Sequence, residues 1–148
     1  MTIVQTISNL DAEVNLHEDG SVTTSGHPLY GGNSNAVQHL LKEIKKLFST
    51  DGAFAALKTD GTVVTWGSHR EGGDSSAVQH RLKDVTTIAA SHWAFAALKA
   101  DGTVVTWGYP EDGGDSSAVR KELINIQTII GNEDGFTAIK TDGTEISW

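Results

Sequence analysis

From Ala94 to Leu98 every residue is apolar, with Ala94, Ala96 and Leu98 on one side of an extended chain and Phe95 and Ala97 on the other. A strand apolar on both sides belongs between two neighbouring sheets, and its alanines let those sheets approach closely. Asp101-Gly102 then supplies the positive-φ position of a tight hairpin turn. Thr103 to Trp107 reads as the returning strand. Val105 and Trp107 face inward together there, and the threonines suggest a more exposed edge. Upstream, Val85-Thr86-Thr87-Ile88-Ala89-Ala90 is rich in β-branched residues and reads as a third strand, joined through Ser91-His92-Trp93.

The same pattern returns with a period of 41 residues. Ala53 to Gly67 repeats Ala94 to Gly108 almost letter for letter, and the offset also reaches Asp19-Gly20 and Asp142-Gly143. Constant spacing means that each unit makes the same contacts with the next. The sequence therefore predicts an all-β fold with short linker helices: a β-propeller-like array of four three-stranded units in one repeat domain spanning 1–148. The units fall at about 3–26, 44–67, 85–108 and 126–148.

The linkers, at about 33–43, 74–84 and 115–125, each follow a Gly pair. Asp74-Ser75-Ser76 and Asp115-Ser116-Ser117 are good helix N-cap sequences. Val37 and Leu41, Val78 and Leu82, Val119 and Leu123 stand four apart and make one apolar stripe. A helix of two to three turns pinned onto the sheets is expected in each. Units one and four depart from the inner pair. Glu13 and Ser25 stand where the other units have Phe and Trp, and Glu145 replaces Val63 and Val104. Terminal repeats are often atypical because they cap the array.

Composition narrows the functional classes. The net charge is −8, and the basic clump Lys42, Lys45, Lys46 has Glu43 inside it. No nucleic-acid partner is expected. The absence of Cys excludes disulfides and thiolate metal sites. No stretch is apolar enough to span a membrane. No signal peptide is visible at the first residues, so a cytoplasmic protein or a fragment of a larger exported one is expected, with localisation otherwise unknown.

Units carrying F-A-A-L-K-x-D-G-T-V-V-x-W-G resemble the repeats of the regulator of chromosome condensation family. In their shortness they are also similar to those of the propeller-type β-lactamase inhibitor protein. The resemblance rests on Phe54 to Gly67 and Phe95 to Gly108, and more weakly on Phe136 to Trp148 and Val14 to Gly26. It implies a β-propeller with the units as blades. Those families usually close a ring of seven blades in one chain, whereas this chain has four units. The units have no room for a long inserted loop, and nucleotide exchange is not carried over.

Trp66, Trp107 and Trp148 recur at one position and read as core, each burying roughly 150–250 Å². That burial is worth about 4–6 kcal/mol as an upper bound. Recurrent Asp19, Asp60, Asp101 and Asp142 each precede Gly and are explained by turn geometry. Glu111 to Asp115 lacks the alternating ligands of a calcium loop. His39 and His80 recur, but Lys121 fills the third position, so no metal is expected. No nucleophile elbow, phosphate loop or zinc-protease motif is present, and neither an enzyme nor a cofactor is expected.

The units differ most in the connection between the first two strands and in the segment after Trp-Gly. Ligand contacts are expected there, at His27, Tyr30, His69, Arg70, His92, Trp93 and Tyr109. The reading is a non-enzymatic propeller-type module for protein binding or scaffolding. The alternative is carbohydrate binding or surface adhesion through repeated loop pockets. The array runs from a first strand to a last strand and has inner units apolar on both faces. A homodimer completing a ring of eight blades is therefore expected, although Glu13 and Ser25 are polar where a joint should be apolar.

Overall fold

The computed structural model describes residues 2–148. Four antiparallel sheets of three strands follow one another along the chain. Blade one is β1 (Ile3–Ser8), β2 (Ala12–His17) and β3 (Val22–Gly26). Blade two is β4 (Ile44–Ser49), β5 (Ala53–Lys58) and β6 (Val63–Gly67). Blade three is β7 (Val85–Ala90), β8 (Ala94–Lys99) and β9 (Val104–Gly108). Blade four is β10 (Ile126–Gly131), β11 (Phe136–Lys140) and β12 (Glu145–Ser147). Each blade is a simple meander with the middle strand at its centre. The first strands of consecutive blades abut, β1 on β4, β4 on β7 and β7 on β10, and no comparable contact joins β10 to β1. Among the described residues the blades thus form an open arc.

The core lies between blades. Ala94, Ala96, Leu98 and Val104 of blade three pack on Ile126, Phe136, Ala138 and Ile146 of blade four. The opposite side of the same strands, Phe95, Ala97, Val105 and Trp107, packs on Ala53, Ala55, Leu57 and Val63 of blade two. A third cluster joins blades one and two in the same way. The two-sided apolar strand in the sequence is thus a strand shared by two cores. Its alanines are fully buried and set a close approach.

Trp66 and Trp107 are each 5% exposed, and Trp148 is half-buried. Trp107 lies opposite Phe95 in the ladder, with ring centroids 5.4 Å apart. Its indole N–H donates to the Gly72 carbonyl at 3.0 Å. Trp66 donates likewise to Gly31 and Trp148 to Gly113. Gly72 sits at φ 108°, and a Cβ there would lie 2.5 Å from the Phe95 ring. Only glycine permits both that backbone and that approach.

The Asp-Gly turns are equally structural. Asp101 Oδ1 accepts from the Thr103 backbone N–H at 3.0 Å and from its hydroxyl. The Gly102 carbonyl then accepts from Ile126 N at 2.9 Å, tying the turn to the next blade.

Two expectations need correction. The outer strands β6 and β9 are not exposed edges: Thr65 and Thr106 are buried. Each hydroxyl is held by the following linker, Thr65 by Gly73 O and Ser75 Oγ, Thr106 by Gly114 O and Ser116 Oγ. The linkers contain no helix of two to three turns. Each holds a single turn of 3-10 helix, for example Gln79–Arg81, and another single turn precedes its Gly pair, for example His69–Glu71. The linker backbone bonds run from i to i−3, Val78 N to Ser75 O, Arg81 N to Val78 O and Leu82 N to Gln79 O, and Gln79 Nε2 donates to the Val63 carbonyl, so the segment is tied to β6 instead of continuing as a helix. The apolar stripe still works as a pin: Leu41, Leu82 and Leu123 are buried in the three cores.

The outward face of blade one is polar, and that of blade four mixes polar residues with Ile139 and an exposed Ile130. On blade one, Thr6, Glu13, Thr23 and Ser25 are exposed where blade two has Leu47, Phe54, Val64 and Trp66. Thr6 donates to Asn15 Oδ1 at 2.7 Å on that face. On blade four, Thr137 and Ser147 bond each other at 2.9 Å and Glu145 is exposed, where inner blades carry Ala, Thr and Val.

Candidate functional site

The connections between first and second strands and the segments after Trp-Gly meet at the end of the blades opposite the Asp-Gly turns. One side chain per blade clasps them together. Asn9 Nδ2 donates to Tyr30 O, Thr50 Oγ1 to Glu71 O and Ser91 Oγ to Asp112 O, at 2.7–2.8 Å. Consecutive connections are also tied across blades, Asp51 N to His92 O at 3.0 Å and His92 N to Glu133 O at 3.3 Å. The variable residues therefore stand on a hydrogen-bonded platform rather than on free loops.

Three of the expected residues come into contact. Trp93 lies 4.8 Å from His92 and 5.3 Å from Tyr109, the latter edge to face. Trp93 and Tyr109 are half-buried and His92 is exposed. His92 Nδ1 donates to Asp51 Oδ2 at 2.9 Å. Glu71 stands close by, since a Cβ at Gly52 would overlap its carboxylate. Burial, and then the Asp51 charge, push the Glu71 carboxyl above its ordinary value, with His92 opposing. An aromatic trio thus borders two carboxylates.

The other expected residues divide. His27 and Tyr30 pair at 4.9 Å. Tyr30 and His69 line a cleft of about 530 Å³ with Pro28, Leu29, Val37 and Trp66, between the first linker and blade two. Arg70 is exposed and joins neither group. Among the described residues no three His, Asp or Glu side chains are grouped to hold a metal ion. No helix is long and apolar enough to cross a membrane.

No protein-family model and no curated sequence matches the chain. Solved structures do match. Yeast RCC1 (Prp20), in a crystal structure with Kap60, aligns over 99% of this chain and 43% of its own, at TM-score 0.65 and 19% identity. Prp20p of Saccharomyces cerevisiae in a second structure gives 99% and 45%, TM-score 0.65 and 18% identity. Human WBSCR16 gives 99% and 46%, TM-score 0.68 and 15% identity. The fold is an RCC1-like β-propeller. At these identities the likeness concerns the fold alone, and the chain spans less than half the length of those propellers.

In this propeller-type array the clasp recurs in blades one to three and the aromatic trio belongs to blade three alone. At the position of Trp93 the other blades carry Asp11, Gly52 and Asp134. Sequence reading named Trp93 among the expected contacts. It missed Asp51 and Glu71, which come from blade two and its following segment and meet His92 only across the blade interface. Gly52, set where blade three has its largest side chain, is the one sequence signal that could have suggested that another group fills that space.

Proposed function

We propose that this chain is a non-enzymatic protein-binding array whose contact surface is the Trp93 cluster. The observation that carries the reading is a half-buried Trp93, braced by His92 and Tyr109, at a position without an aromatic in any other blade. Trp and Tyr held rigid at a surface are the side chains that dominate binding energy at protein interfaces. The adjoining Asp51 and Glu71 suit a partner presenting an apolar group beside a basic one. Among structural neighbours, yeast RCC1 (Prp20) is described bound to Kap60, and Prp20p with binding properties to Gsp1p and histones. Both support protein rather than small-molecule recognition. The test is quantitative binding of captured partners to wild type and to Trp93→Ala at equal melting temperature. Affinity should fall by about tenfold or more. Unchanged affinity refutes the surface.

Carbohydrate binding through equivalent pockets fits less well, because the platform carries a different side-chain set on every blade. The ring-completing dimer also fits less well. Joining blade one of one copy to blade four of another would bury the carboxylates of Glu13 and Glu145, neither of which has a cationic partner among the described residues. We read the chain as an open array, and light scattering should give the monomer mass of 15.7 kDa.

A further inference from the structure

We infer that the notch between the second and third linkers is a binding site for a phosphate-type oxyanion, held by Arg81 and Arg120. This is independent of the Trp93 surface. The notch is a polar cavity of about 150 Å³, lined by Arg81 from one linker and by Arg120, Ser116, Ser117 and Asp115 from the next, over Thr106 of β9.

The repeat shows what is unusual here. In the first two linkers the position of Arg120 is glutamine. Gln38 accepts from Ser34 Oγ at 2.6 Å and donates to Val22 O at 3.0 Å. Gln79 does the same with Ser75 and Val63 O, at 2.7 and 2.9 Å. Arg120 cannot accept a hydrogen bond, so the serine loses its acceptor. Ser116 Oγ lies 2.9 Å from Thr106 Oγ1, and because the Thr106 proton also reaches the Gly114 carbonyl at 3.2 Å, the Ser116 hydroxyl can turn its own proton onto Thr106. Ser116 is also half-buried, where Ser34 and Ser75 are buried. The bolt that fixes the first two linkers is absent from the third.

The exchange also sets two like charges side by side. Neither guanidinium has a carboxylate or carbonyl partner among the described residues. Burial, and next the Arg120 charge, push the Arg81 pKa below its ordinary value. Asp115 is the one acidic residue of the lining, and its Oδ1 accepts from Ser117 N at 3.0 Å. One carboxylate against two guanidiniums leaves the lining with a net positive charge. Two unpaired guanidiniums lining one small polar cavity form a donor set without an acceptor. An oxyanion supplies it, because its several oxygens accept from two planar guanidinium forks together. The ion could be free in solution or carried as a phosphoryl group on a partner side chain, and the same contacts would hold either.

The test titrates inorganic phosphate, O-phosphoserine and, as control, acetate into the purified full chain at constant ionic strength. Calorimetry and melting temperature are the readouts. Wild type should bind phosphate saturably and acetate more weakly. Arg120→Gln restores the residue of the other linkers. It should weaken phosphate binding by about tenfold or more while leaving the ligand-free melting temperature unchanged or raised. Arg81→Leu, the residue of the first linker, should weaken it similarly. Tighter binding of O-phosphoserine assigns the site to a modified side chain, and equal or weaker binding assigns it to the free ion. No saturable binding by folded wild type overturns the proposal, and so does equal binding by both variants.

Discussion

Replacing Trp107 by alanine tests the interblade core most directly. The indole is 5% exposed and spans the joint between blades two and three. Removing it takes away roughly 200 Å² of buried apolar surface, about 5 kcal/mol at the usual coefficient and an upper bound. The change also leaves the Gly72 carbonyl without its donor, for about 1 kcal/mol more, and Phe95 without its ring partner. Partial collapse of the cavity offsets some of this, so the expected loss is about 3–5 kcal/mol. A domain of this size has about 5–15 kcal/mol in total, so the variant should sit near the edge of unfolding. The assay is urea denaturation followed by circular dichroism, with the slope compared between variants to detect a changed denatured state. Trp148→Ala, at a half-buried position with the same hydrogen bond to Gly113, should cost less. Trp93→Ala should cost about 1 kcal/mol or less, because its ring packs on surface side chains. A loss below about 1 kcal/mol for Trp107→Ala refutes the interblade core. Equal losses for Trp107 and Trp93 would refute the division between scaffold and platform.

Gly72→Ala adds a strained positive φ and a clash with Phe95, and should destabilise by about 2–5 kcal/mol. Gly143→Ala, at φ 89° with open space around the new methyl, should cost only about 1–2 kcal/mol by the same melts. Asp60, Asp101 and Asp142 are held below the ordinary carboxylate value, chiefly by the hydroxyls of Thr62, Thr103 and Thr144. Their folded values are depressed, so their contribution is present above the unfolded value and lost as pH falls through the folded one. Melting temperature should therefore drop on acidification below the normal Asp range, and less so in Asp60→Asn. Glu13→Phe with Ser25→Trp rebuilds the inner-blade face on blade one, and should shift the light-scattering mass from monomer toward larger species.

The period of 41 residues, the two-sided strands and the Asp-Gly turns were enough to give four three-stranded units. These features act locally or repeat identically, so one unit explains all. The Trp positions were legible as core for the same reason, since a large apolar residue kept at one register must be buried there. The linkers were legible only as apolar pins. Whether Val78 and Leu82 ride on an α-helix or on a 3-10 turn depends on Ser75 and Gln79 bonding Thr65 and the Val63 carbonyl, partners supplied by a neighbouring strand. The burial of Thr65 and Thr106 follows from the same long-range clasp and contradicts their polarity.

Function-bearing contacts were less accessible. Trp93 was named among the expected contacts, but its setting required Asp51 and Glu71 to arrive from blade two. Arg81 and Arg120 lie far apart in sequence, and nothing in their spacing indicates that they face one notch. A repeat fixes which residues are equivalent; only the stacking of blades decides which non-equivalent ones meet, because those encounters cross the interface between units. Here that stacking turned an exchanged glutamine and an extra tryptophan into two separate surfaces.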